Sequence, residues 1–326
     1  MTTSISVVIT THNEATSIGG TLRALASQIA PDLEVEVIVV DDRSTDATLY
    51  EVSQISLPKL LVLSVEPDDT SSLTTRQQAL DLGFRRAVGE IILTLDADSR
   101  LPRDWIIAMT QPILDGRADA VAGPVGFQPT TGLIGGWQSC DTACYLTFSK
   151  IIARLGSKGG IFFGNFAFRR PLYNKMGGFT AIGRALTEDL SFGFALQQHG
   201  AKLEFVDGRA LVEVNAAPSL AALVARLQRV TRGPPSILAI VLVLWQLSLF
   251  AVIAYAVSDT LLSWQILGFR FSLGLIFTTV SVIYHGNFYA IVYALIYEPL
   301  LLLFAFVVII RKILVGRVSW GGLYYD

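Results

Sequence analysis

The stretch Glu90–Arg100 reads EIILTLDADSR and places two carboxylates directly behind an apolar run. The run Ile91–Leu95 is typical of a strand that is buried on both faces of a sheet. Asp96 and Asp98 then put two like charges at the end of this strand, which is unfavourable unless a cation lies between them. The stretch therefore predicts a buried strand that ends at a cation-binding site.

The N-terminal half repeats one pattern, a strand-like run followed by a segment with helical spacing. This alternation predicts an α/β fold with a mostly parallel sheet and helices on both faces. The three earlier pairs of predicted strand and helix are Ser4–Thr10 with Ala15–Gln28, Glu34–Val40 with Asp46–Ile55, and Lys59–Val65 with Leu73–Val88. The later predicted elements are helices at Trp105–Leu114, Leu133–Leu155, Thr187–His199 and Leu220–Thr231, and a strand at Ile161–Phe168.

Polar residues follow three of the predicted strands at the points where the strands end. Because the carboxyl ends of parallel strands share one edge of a sheet, ligands of such folds bind beyond that edge. The three clusters are therefore expected to form a single site. They are Thr11, His12, Asn13 and Glu14 after the first strand, Asp41, Asp42, Arg43 and Ser44 after the second, and Asp96 and Asp98 after the fourth.

The composition of the chain changes after residue 232. The 326 residues carry a formal net charge of −2, and 52% of them are hydrophobic. Beyond residue 232, and up to residue 310, only Asp259, Arg270 and Glu298 carry a formal charge. A region this apolar is typical of a membrane protein. We therefore predict a soluble α/β domain over residues 1–232, followed by a membrane domain over residues 233–326.

Three apolar segments, Ile237–Val257, Leu261–Tyr284 and Phe288–Ile310, are candidate membrane helices, and a short tail follows them. Basic residues before the first segment and after the last place both flanks in the cytosol, which requires an even number of crossings. One of the two later segments is therefore expected to be re-entrant or interfacial, or the last to split at Pro299. The basic residues are Arg226, Arg229, Arg232, Arg311, Lys312 and Arg317.

Glu298 allows two interpretations. A carboxylate at membrane depth is a functional candidate by default. A Glu beside Pro299 can instead mark a helix end at the membrane interface. The opening MTTSISVVITTHNEA lacks the basic and long apolar parts of a signal peptide, so we expect the α/β domain in the cytosol, at the inner face of the cell membrane.

The acidic clusters suit a divalent cation and a nucleotide. A DxD pair at a strand end can bring both carboxylates to one Mg²⁺ or Mn²⁺, and diphosphate oxygens suit the remaining positions. Asp41 and Asp42 suit hydrogen bonds to a base and a ribose. The alternative is that these acids are solvated loop residues, with Ser44 or Asp46 capping the next helix. A dinucleotide enzyme is disfavoured because the turn ITTHNEATSIGGTL contains no G-x-G-x-x-G.

Two later segments supply further charged groups, each with a functional and a purely structural interpretation. The tripeptide TED at residues 187–189 places acids at a helix start, where one can deprotonate an attacking hydroxyl or can simply cap the helix. The stretch QRVTR at residues 228–232 offers guanidinium groups that can neutralise a leaving diphosphate or can simply bind anionic lipid.

Taken together, these motifs resemble the family 2 glycosyltransferases, which are inverting enzymes with the Rossmann-like GT-A fold. The resemblance covers roughly residues 4–232. It implies the transfer of a sugar from a nucleotide-diphosphate sugar with the help of a divalent metal ion. The stretches that carry it are VVITTHNEATSIGGTLRAL, VEVIVVDDRSTDAT, IILTLDADS, FFGNFAFRR on the acceptor side, and LTEDLSFGFALQQHGAKLEF.

The resemblance also implies roles for individual residues. Asp189 would be the catalytic base, with Glu188 beside it on the acceptor. Asp98 would ligate Mg²⁺ or Mn²⁺, with Asp96 on the ribose or metal side. Arg76 stands where the family usually has a Lys near the diphosphate. The other donor-binding candidates are Asp41 and Asp42, on the uracil or ribose, with Thr11, Asn13, Glu14, Gln228 and Arg232.

The acceptor side departs from the membrane-integrated members of the family, which include cellulose, hyaluronan and ceramide glucosyl enzymes. Gln228 and Arg232 stand for the Gln and Arg of their Q-x-x-R-W motif, but Gly233 replaces the Trp, which removes a stacking surface for a sugar. The tail RVSWGGLYYD resembles that of bacterial members proposed to glycosylate lipids or carotenoids. Contacts to the acceptor are expected from residues 162–165 and Trp137.

We therefore expect a membrane enzyme that uses a nucleotide sugar, with a UDP-sugar favoured, and a lipid or glycolipid acceptor, and that has no nucleic-acid partner. Two alternatives stay open. One is a processive polysaccharide synthase, which would release long polymer. The other is a non-catalytic, membrane-anchored scaffold that binds nucleotide sugars.

Overall fold

The computed structural model describes residues 3–30, 33–66, 71–128, 132–154, 162–206, 208–231, 237–257, 260–315, 318–320 and 323–325. The chain forms two compact units. The first comprises Met1–Gly126, Ile161–Asn215 and Gly321–Leu323, and the second Phe127–Gly160, Ala216–Trp320 and Tyr324–Asp326. Residues 127–160 thus group with the C-terminal helices, while the domain boundary expected at residue 232 stays a prediction.

The elements of the first half follow the predicted alternation. In chain order they are β1 (Ser4–Thr11), α1 (Ile18–Ala26), β2 (Glu34–Asp41), α2 (Thr48–Ser53), β3 (Leu60–Ser64), α3 (Thr75–Arg86), β4 (Ile91–Asp96), α4 (Trp105–Leu114), β5 (Ala120–Ala122), β6 (Val125–Phe127) and α5 (Leu133–Arg154). The elements that follow are β7 (Asn165–Arg169), α6 (Arg170–Lys175), α7 (Gly178–Ile182), α8 (Glu188–Gln198), β8 (Leu203–Phe205), a 3₁₀ turn (Gly208–Ala210), β9 (Val212–Val214) and α9 (Leu220–Val230).

A seven-stranded sheet organises the first unit, with strand order β3-β2-β1-β4-β7-β5-β8. Strand β7 runs antiparallel to β4 and β5, and the other neighbours are parallel. This confirms the mostly parallel α/β sheet. Residues Ile91–Leu95 of β4 are all buried, as the unbroken apolar run predicts.

The register of the central strands brings their carboxyl ends together. Thr11 lies opposite Asp41, and Thr10 lies opposite Asp96. A core of aromatic side chains packs between the sheet and helices α3, α7 and α8, and it fixes those helices against the strands. Its rings are Phe84, Phe163, Phe166, Phe168, Tyr173, Phe179 and Phe192.

Two details of the first unit differ from the sequence-based expectation. The strand predicted from residue 161 begins at Asn165, because Phe163 and Gly164 form a turn. Strands β5, β6, β8 and β9 have three residues each and were not predicted. A run of three residues is too short for an alternating pattern to be visible.

Helices dominate the second unit. Besides α5 and α9 it contains α10 (Ile237–Ala256), α11 (Leu261–Tyr284), a 3₁₀ turn (Phe288–Ala290), α12 (Ile291–Val315) and the short strand β10 (Val318–Trp320). The last short strand, β11 (Leu323–Tyr325), begins with the final residue of the first unit and continues into the second. Among the described residues, two helical segments are long and apolar enough to cross a membrane, Leu261–Tyr284 and Phe288–Arg311. The described part of α10 adds a shorter apolar segment, Leu247–Ala256.

Glu298 does not lie at a helix end, so the interfacial interpretation was wrong. Helix α12 continues through Pro299 to Val315, and the last segment therefore does not split. The Glu298 side chain is buried and accepts hydrogen bonds from Arg270 Nη1 at 3.0 and 3.1 Å. The indole of Trp245 donates to the same carboxylate at 2.9 Å. These partners satisfy a charge that would otherwise be costly among apolar helices.

Candidate active site

The end of β2 presents two buried carboxylates. Asp41 Oδ2 accepts the Ser44 N–H at 3.2 Å, but Asp41 Oδ1 is buried and has no hydrogen-bond partner among the described residues. Asp42 donates its N–H to the Thr11 carbonyl at 2.8 Å and pairs with Arg43 at 2.8 Å. A buried carboxylate oxygen without a partner is unfavourable until a donor reaches it. Asp41 therefore suits an N–H or O–H group of a ligand.

The loop after β1 is tied to the loop after β2. Asn13 has a left-handed backbone with φ of 57°, which Asn tolerates better than most residues. Its side-chain oxygen accepts the Thr45 N–H at 2.8 Å, and its own N–H donates to Ser44 Oγ at 2.9 Å. Thr11 is buried beside this loop, and its hydroxyl has no hydrogen-bond partner among the described residues. Asn13 thus shapes the loop, and Thr11 offers a hydroxyl to a ligand.

Negative charge accumulates at the end of β4. Burial, and then the nearby Asp96, raises the pKa of Asp98 to about 6. Burial, and then Asp98, raises the pKa of Glu14 to about 7. Asp98 Oδ2 also accepts the N–H of Asn215 at 2.9 Å. The raised pKa values of Asp98 and Glu14 indicate that negative charge is unfavourable here, so a bound cation would stabilise these carboxylates.

The surroundings of Asp96 and Asp98 fit a metal ion that also binds phosphate. Within the described part of the chain, no group of three or more His, Cys, Asp or Glu side chains could hold a metal ion on its own. Mg²⁺ and Mn²⁺ commonly use one or two carboxylates and fill the other positions with water and phosphate oxygens. Gly164 leaves room beside Asp96, since a Cβ at residue 164 would lie 2.4 Å from Asp96 Oδ2. The donor set thus fits the metal expected from the DxD pair.

Arg76 joins the end of β4 to the start of α8. Its Nη2 donates to Asp96 Oδ1 at 2.7 Å, and its Nε lies 2.7 Å from Glu188 Oε1. The second contact is an ion pair that lacks the angle of a hydrogen bond. Burial lowers the pKa of Arg76, but the carboxylates of Asp96 and Glu188 outweigh it and raise the pKa above its ordinary value. Arg76 therefore stays charged between two acids.

The TED segment opens helix α8, with Glu188 and Asp189 in the first turn. Glu188 is buried, whereas Asp189 is partly exposed and its Oδ1 accepts the Leu190 N–H at 2.8 Å. The loop before α8 is held by Gln77 of α3, which donates to the Gly183 carbonyl at 2.8 Å and accepts the Ala185 N–H at 3.1 Å. Arg76 and Gln77 are neighbours on α3. This helix therefore holds the loop before α8 through Gln77 and the first turn of α8 through Arg76.

The two residues predicted from the Q-x-x-R-W motif belong to the second unit or to residues that the structure does not describe. Gln228 is buried on α9 in the second unit, and its donor-binding role stays a prediction. Arg232 belongs to residues 232–236, which are outside the described residues. Three residues, and not two, separate Gln228 from Arg232, so the chain departs from the motif by one position.

Two residues expected to contact an acceptor are instead structural. Trp137 is fully buried in the second unit, where its indole donates to the Tyr297 carbonyl at 3.1 Å. Asn165 is fully buried in the first unit and donates to the carbonyls of Pro124 and Ala210 at 2.8 and 2.6 Å. The polar groups of both side chains are therefore used within the fold.

Sequence reasoning missed two residues that shape the cation site. Gly164 lies against Asp96. The sequence marks it only as the single glycine of the stretch FFGNFAFRR, directly before Asn165. The backbone N–H of Asn215 orients Asp98, and no sequence pattern marks it because any residue except proline carries this group.

Carboxylates gathered beyond the strand ends of a mostly parallel sheet lie where α/β folds bind their ligands, among them nucleotides. The model of glycosyl transferase family 2 matches residues 6–177, more than half of the chain. The chain therefore belongs to this family, and it has the GT-A-like fold that the resemblance implied.

Several characterised or named proteins are similar to this chain. The probable glycosyltransferase YdaM of Bacillus subtilis is 27% identical over 62% of this chain and 48% of that protein. The dolichol-phosphate mannosyltransferase of Pyrococcus furiosus is 27% identical over 56% of this chain and 47% of that protein. The chain thus spans about half the length of these relatives.

One solved structure matches nearly the whole chain. The mannosyltransferase PcManGT of Pyrobaculum calidifontis, in complex with GDP-Man and Mn²⁺, aligns with a TM-score of 0.60 over 96% of this chain and 88% of that chain. The sequence identity is 19%, so this likeness concerns the fold.

Proposed function

We propose that this protein is a metal-dependent inverting glycosyltransferase that moves a single sugar from a nucleotide-diphosphate sugar to a hydroxyl of a lipid-type acceptor. The observation that carries the proposal is the link made by Arg76 between Asp96 of the DxD pair and Glu188 of the TED segment. This link supports the proposal because it connects Asp96, an expected metal ligand, to Glu188, the neighbour of the expected base Asp189.

The donor would be held at the ends of β1, β2 and β4. Asp41 Oδ1, which has no partner among the described residues, would accept a hydrogen bond from the base or ribose, with Asp42 and Thr11 beside it. Asp98 and Asp96 would ligate the metal. Bound there, Mg²⁺ or Mn²⁺ would screen the two carboxylates and stabilise charge on the leaving nucleotide diphosphate. A UDP-sugar remains our preferred donor.

Asp189 would act as the general base. Its partly exposed carboxylate accepts the proton of the acceptor hydroxyl while that oxygen attacks the anomeric carbon. The bond to the nucleotide diphosphate breaks on the opposite face, so a single displacement inverts the anomeric centre. Glu188, fixed by its ion pair with Arg76, holds the start of α8 in place during this step.

The acceptor is proposed to be a lipid because of the apolar helices. Segments Leu261–Tyr284 and Phe288–Arg311 could hold the chain in a membrane, with the α/β unit on the cytosolic face of the inner membrane. The likeness to a dolichol-phosphate mannosyltransferase supports a lipid acceptor without identifying it. The small helical region gives less support to a processive polysaccharide synthase.

The test is a transfer assay in membranes that contain the full chain. Radiolabelled UDP- and GDP-sugars are incubated with these membranes and Mn²⁺, and the product is separated by organic extraction and size. The proposal expects label in a small, organic-soluble product that is absent with Asp189→Asn. Label in long, water-soluble polymer would instead support the synthase. Binding of nucleotide without any transfer would support the scaffold.

A further inference from the structure

The position of Arg76 leads to an inference about how the site is regulated, and this inference rests on the proposed function. The guanidinium contacts Asp96 Oδ1 through Nη2 and Glu188 Oε1 through Nε, both at 2.7 Å. The Arg76 and Asp96 side chains are 22% and 30% exposed, whereas Glu188 is 5% exposed. The Arg76–Asp96 ion pair is therefore the more exposed of the two, and the Arg76–Glu188 ion pair is the more buried.

Asp96 is thus already paired with a cation that belongs to the protein. Its other oxygen, Oδ2, lies toward Gly164, where a Cβ would be within 2.4 Å. A divalent ion that uses Asp96 must share this carboxylate with Arg76 or displace the guanidinium from it. Two cations that share one carboxylate repel each other at short distance, so each weakens the binding of the other.

Glu188 gives Arg76 a second anchor that does not depend on the metal. If Asp96 is taken by the metal, the guanidinium keeps its ion pair with the buried Glu188 carboxylate. The N–H groups that leave Asp96 are then free to donate to an anionic ligand, and a guanidinium binds the oxygens of a diphosphate well. Since Asp189 follows Glu188 directly, the same contact holds the proposed base.

We propose that Arg76 is an internal counter-ion that competes with the divalent metal for Asp96. Once the metal, bound together with the donor, displaces Arg76 from Asp96, the guanidinium links the donor diphosphate to the segment that carries the catalytic base. Arg76 is thereby a positioning residue for Asp189. The arrangement keeps the metal weakly bound until a nucleotide diphosphate is present.

The test measures Mn²⁺ binding directly, by electron paramagnetic resonance of free Mn²⁺ in titrations of detergent-purified full chain without nucleotide. Arg76→Gln removes the competing charge, so we expect Mn²⁺ to bind at least about fivefold more tightly, within the usual range of coupling between two sites. Transfer activity should fall at the same time. The conservative variant Arg76→Lys should bind Mn²⁺ with intermediate affinity.

A second variant separates competition from simple loss of structure. Glu188→Gln frees Arg76 to pair more fully with Asp96, so Mn²⁺ should bind more weakly than in the wild type. In the Arg76→Gln background, the same change should weaken Mn²⁺ binding less, because only the direct effect of the lost carboxylate charge remains. Arg85→Gln is the matched control, because Arg85 lies on the exposed side of the same helix and pairs with Asp81.

The outcomes distinguish this inference from the proposed function. If Arg76→Gln and Arg76→Lys bind Mn²⁺ no more tightly than the wild type, the competition is refuted and the metal-dependent function stands. An effect of Glu188→Gln that is as large in the Arg76→Gln background as in the wild type would also refute it. If the wild type binds no Mn²⁺ with or without UDP or GDP, both the inference and the metal-dependent function fail.

Discussion

The backbone N–H of Asn215 donates a hydrogen bond to Oδ2 of Asp98 over 2.9 Å, although the two residues are 117 positions apart. An antiparallel bridge between Arg100 and Glu213 brings the two segments together. A backbone donor survives any substitution except proline. The second carboxylate of the DxD pair is therefore oriented by the fold itself.

The raised pKa values at this site predict how stability depends on pH. Burial and then Asp98 raise the pKa of Glu14 from 4.5 to about 7, so the folded protein holds this proton more tightly than the unfolded chain. The resulting stabilisation is complete below pH 4.5 and is lost as the pH rises through about 7. We expect Glu14→Gln to stabilise the metal-free protein at pH 8, by about 1 kcal/mol after allowance for solvent screening.

The measurement is thermal unfolding of wild type and Glu14→Gln at pH 5 and pH 8, without metal. Between pH 5 and pH 8, the thermal stability of Glu14→Gln should fall less than that of the wild type. The exposed Glu90 provides the control Glu90→Gln, which should follow the wild type. Equal pH dependence in wild type and Glu14→Gln would contradict the raised pKa.

Gly164 should tolerate no side chain beside the metal site. A Cβ there would lie 2.4 Å from Asp96 Oδ2, so Gly164→Ala must displace the Asp96 carboxylate. We expect Mn²⁺ affinity in the presence of nucleotide to fall about 10- to 100-fold, as for other residues that orient metal ligands. Gly20→Ala is the matched control, because no atom outside its own stretch of α1 lies within 4 Å of a Cβ built at residue 20. Unchanged Mn²⁺ affinity in Gly164→Ala would show that Asp96 is not a ligand.

Asp189 should matter for the chemical step and not for donor binding. Asp189→Asn removes the proton acceptor while keeping a similar shape, so the turnover number should fall about 10²- to 10⁴-fold. Nucleotide affinity, measured by calorimetry with Mn²⁺, should change little. Glu204→Gln removes a surface carboxylate that pairs with Arg117 and serves as the control. Full activity of Asp189→Asn would exclude this residue as the base.

Removal of either charge of the pair Arg270–Glu298 alone should destabilise the helical unit. Both side chains are buried, and Arg270 also donates to Ser248 Oγ at 3.0 Å and to the Trp245 carbonyl at 3.1 Å. Breaking such a pair leaves one buried charge unpartnered, so Glu298→Gln or Arg270→Gln should destabilise this unit by about 3–5 kcal/mol.

Replacement of both charges should be milder than either single change, since no unpaired charge remains. The double variant Arg270→Met/Glu298→Leu is therefore expected to unfold closer to the wild type in detergent than either single variant does. Denaturant unfolding followed by tryptophan fluorescence measures the difference. A double variant that is less stable than both single variants would contradict this account of the pair.

The strands and helices that could be predicted are those with long runs of apolar residues. Strands β1, β2 and β4 are buried on both faces, and their apolar runs marked them within one residue at each end. Helix α11 was predicted with its observed bounds, because apolar composition defines such a helix along its whole length. The three-residue strands at the far side of the sheet carry no pattern that a sequence can reveal.

The types of residue at the site could be predicted from the sequence. The contacts between those residues could be predicted less well. Carboxylates at strand ends had to converge, because parallel strands share one edge. The ion pairs of Arg76 and the contact between Asn215 and Asp98 depend on tertiary packing. Glu298 was misjudged for the same reason, since its partner Arg270 lies on another helix. Trp137 looked available for an acceptor only because its burial cannot be read from the sequence.

The central claim is that Asp96 and Asp98 hold a metal that carries a nucleotide diphosphate. Its most direct test is thermal unfolding of the detergent-purified protein with UDP, GDP or dTDP, each with and without Mn²⁺. At about 100 times its dissociation constant a ligand adds about 2.7 kcal/mol of stability. We expect one nucleotide to stabilise the wild type only when Mn²⁺ is present, and to have no such effect on Asp98→Asn. Equal stabilisation with and without Mn²⁺, or none with any nucleotide, would contradict the claim.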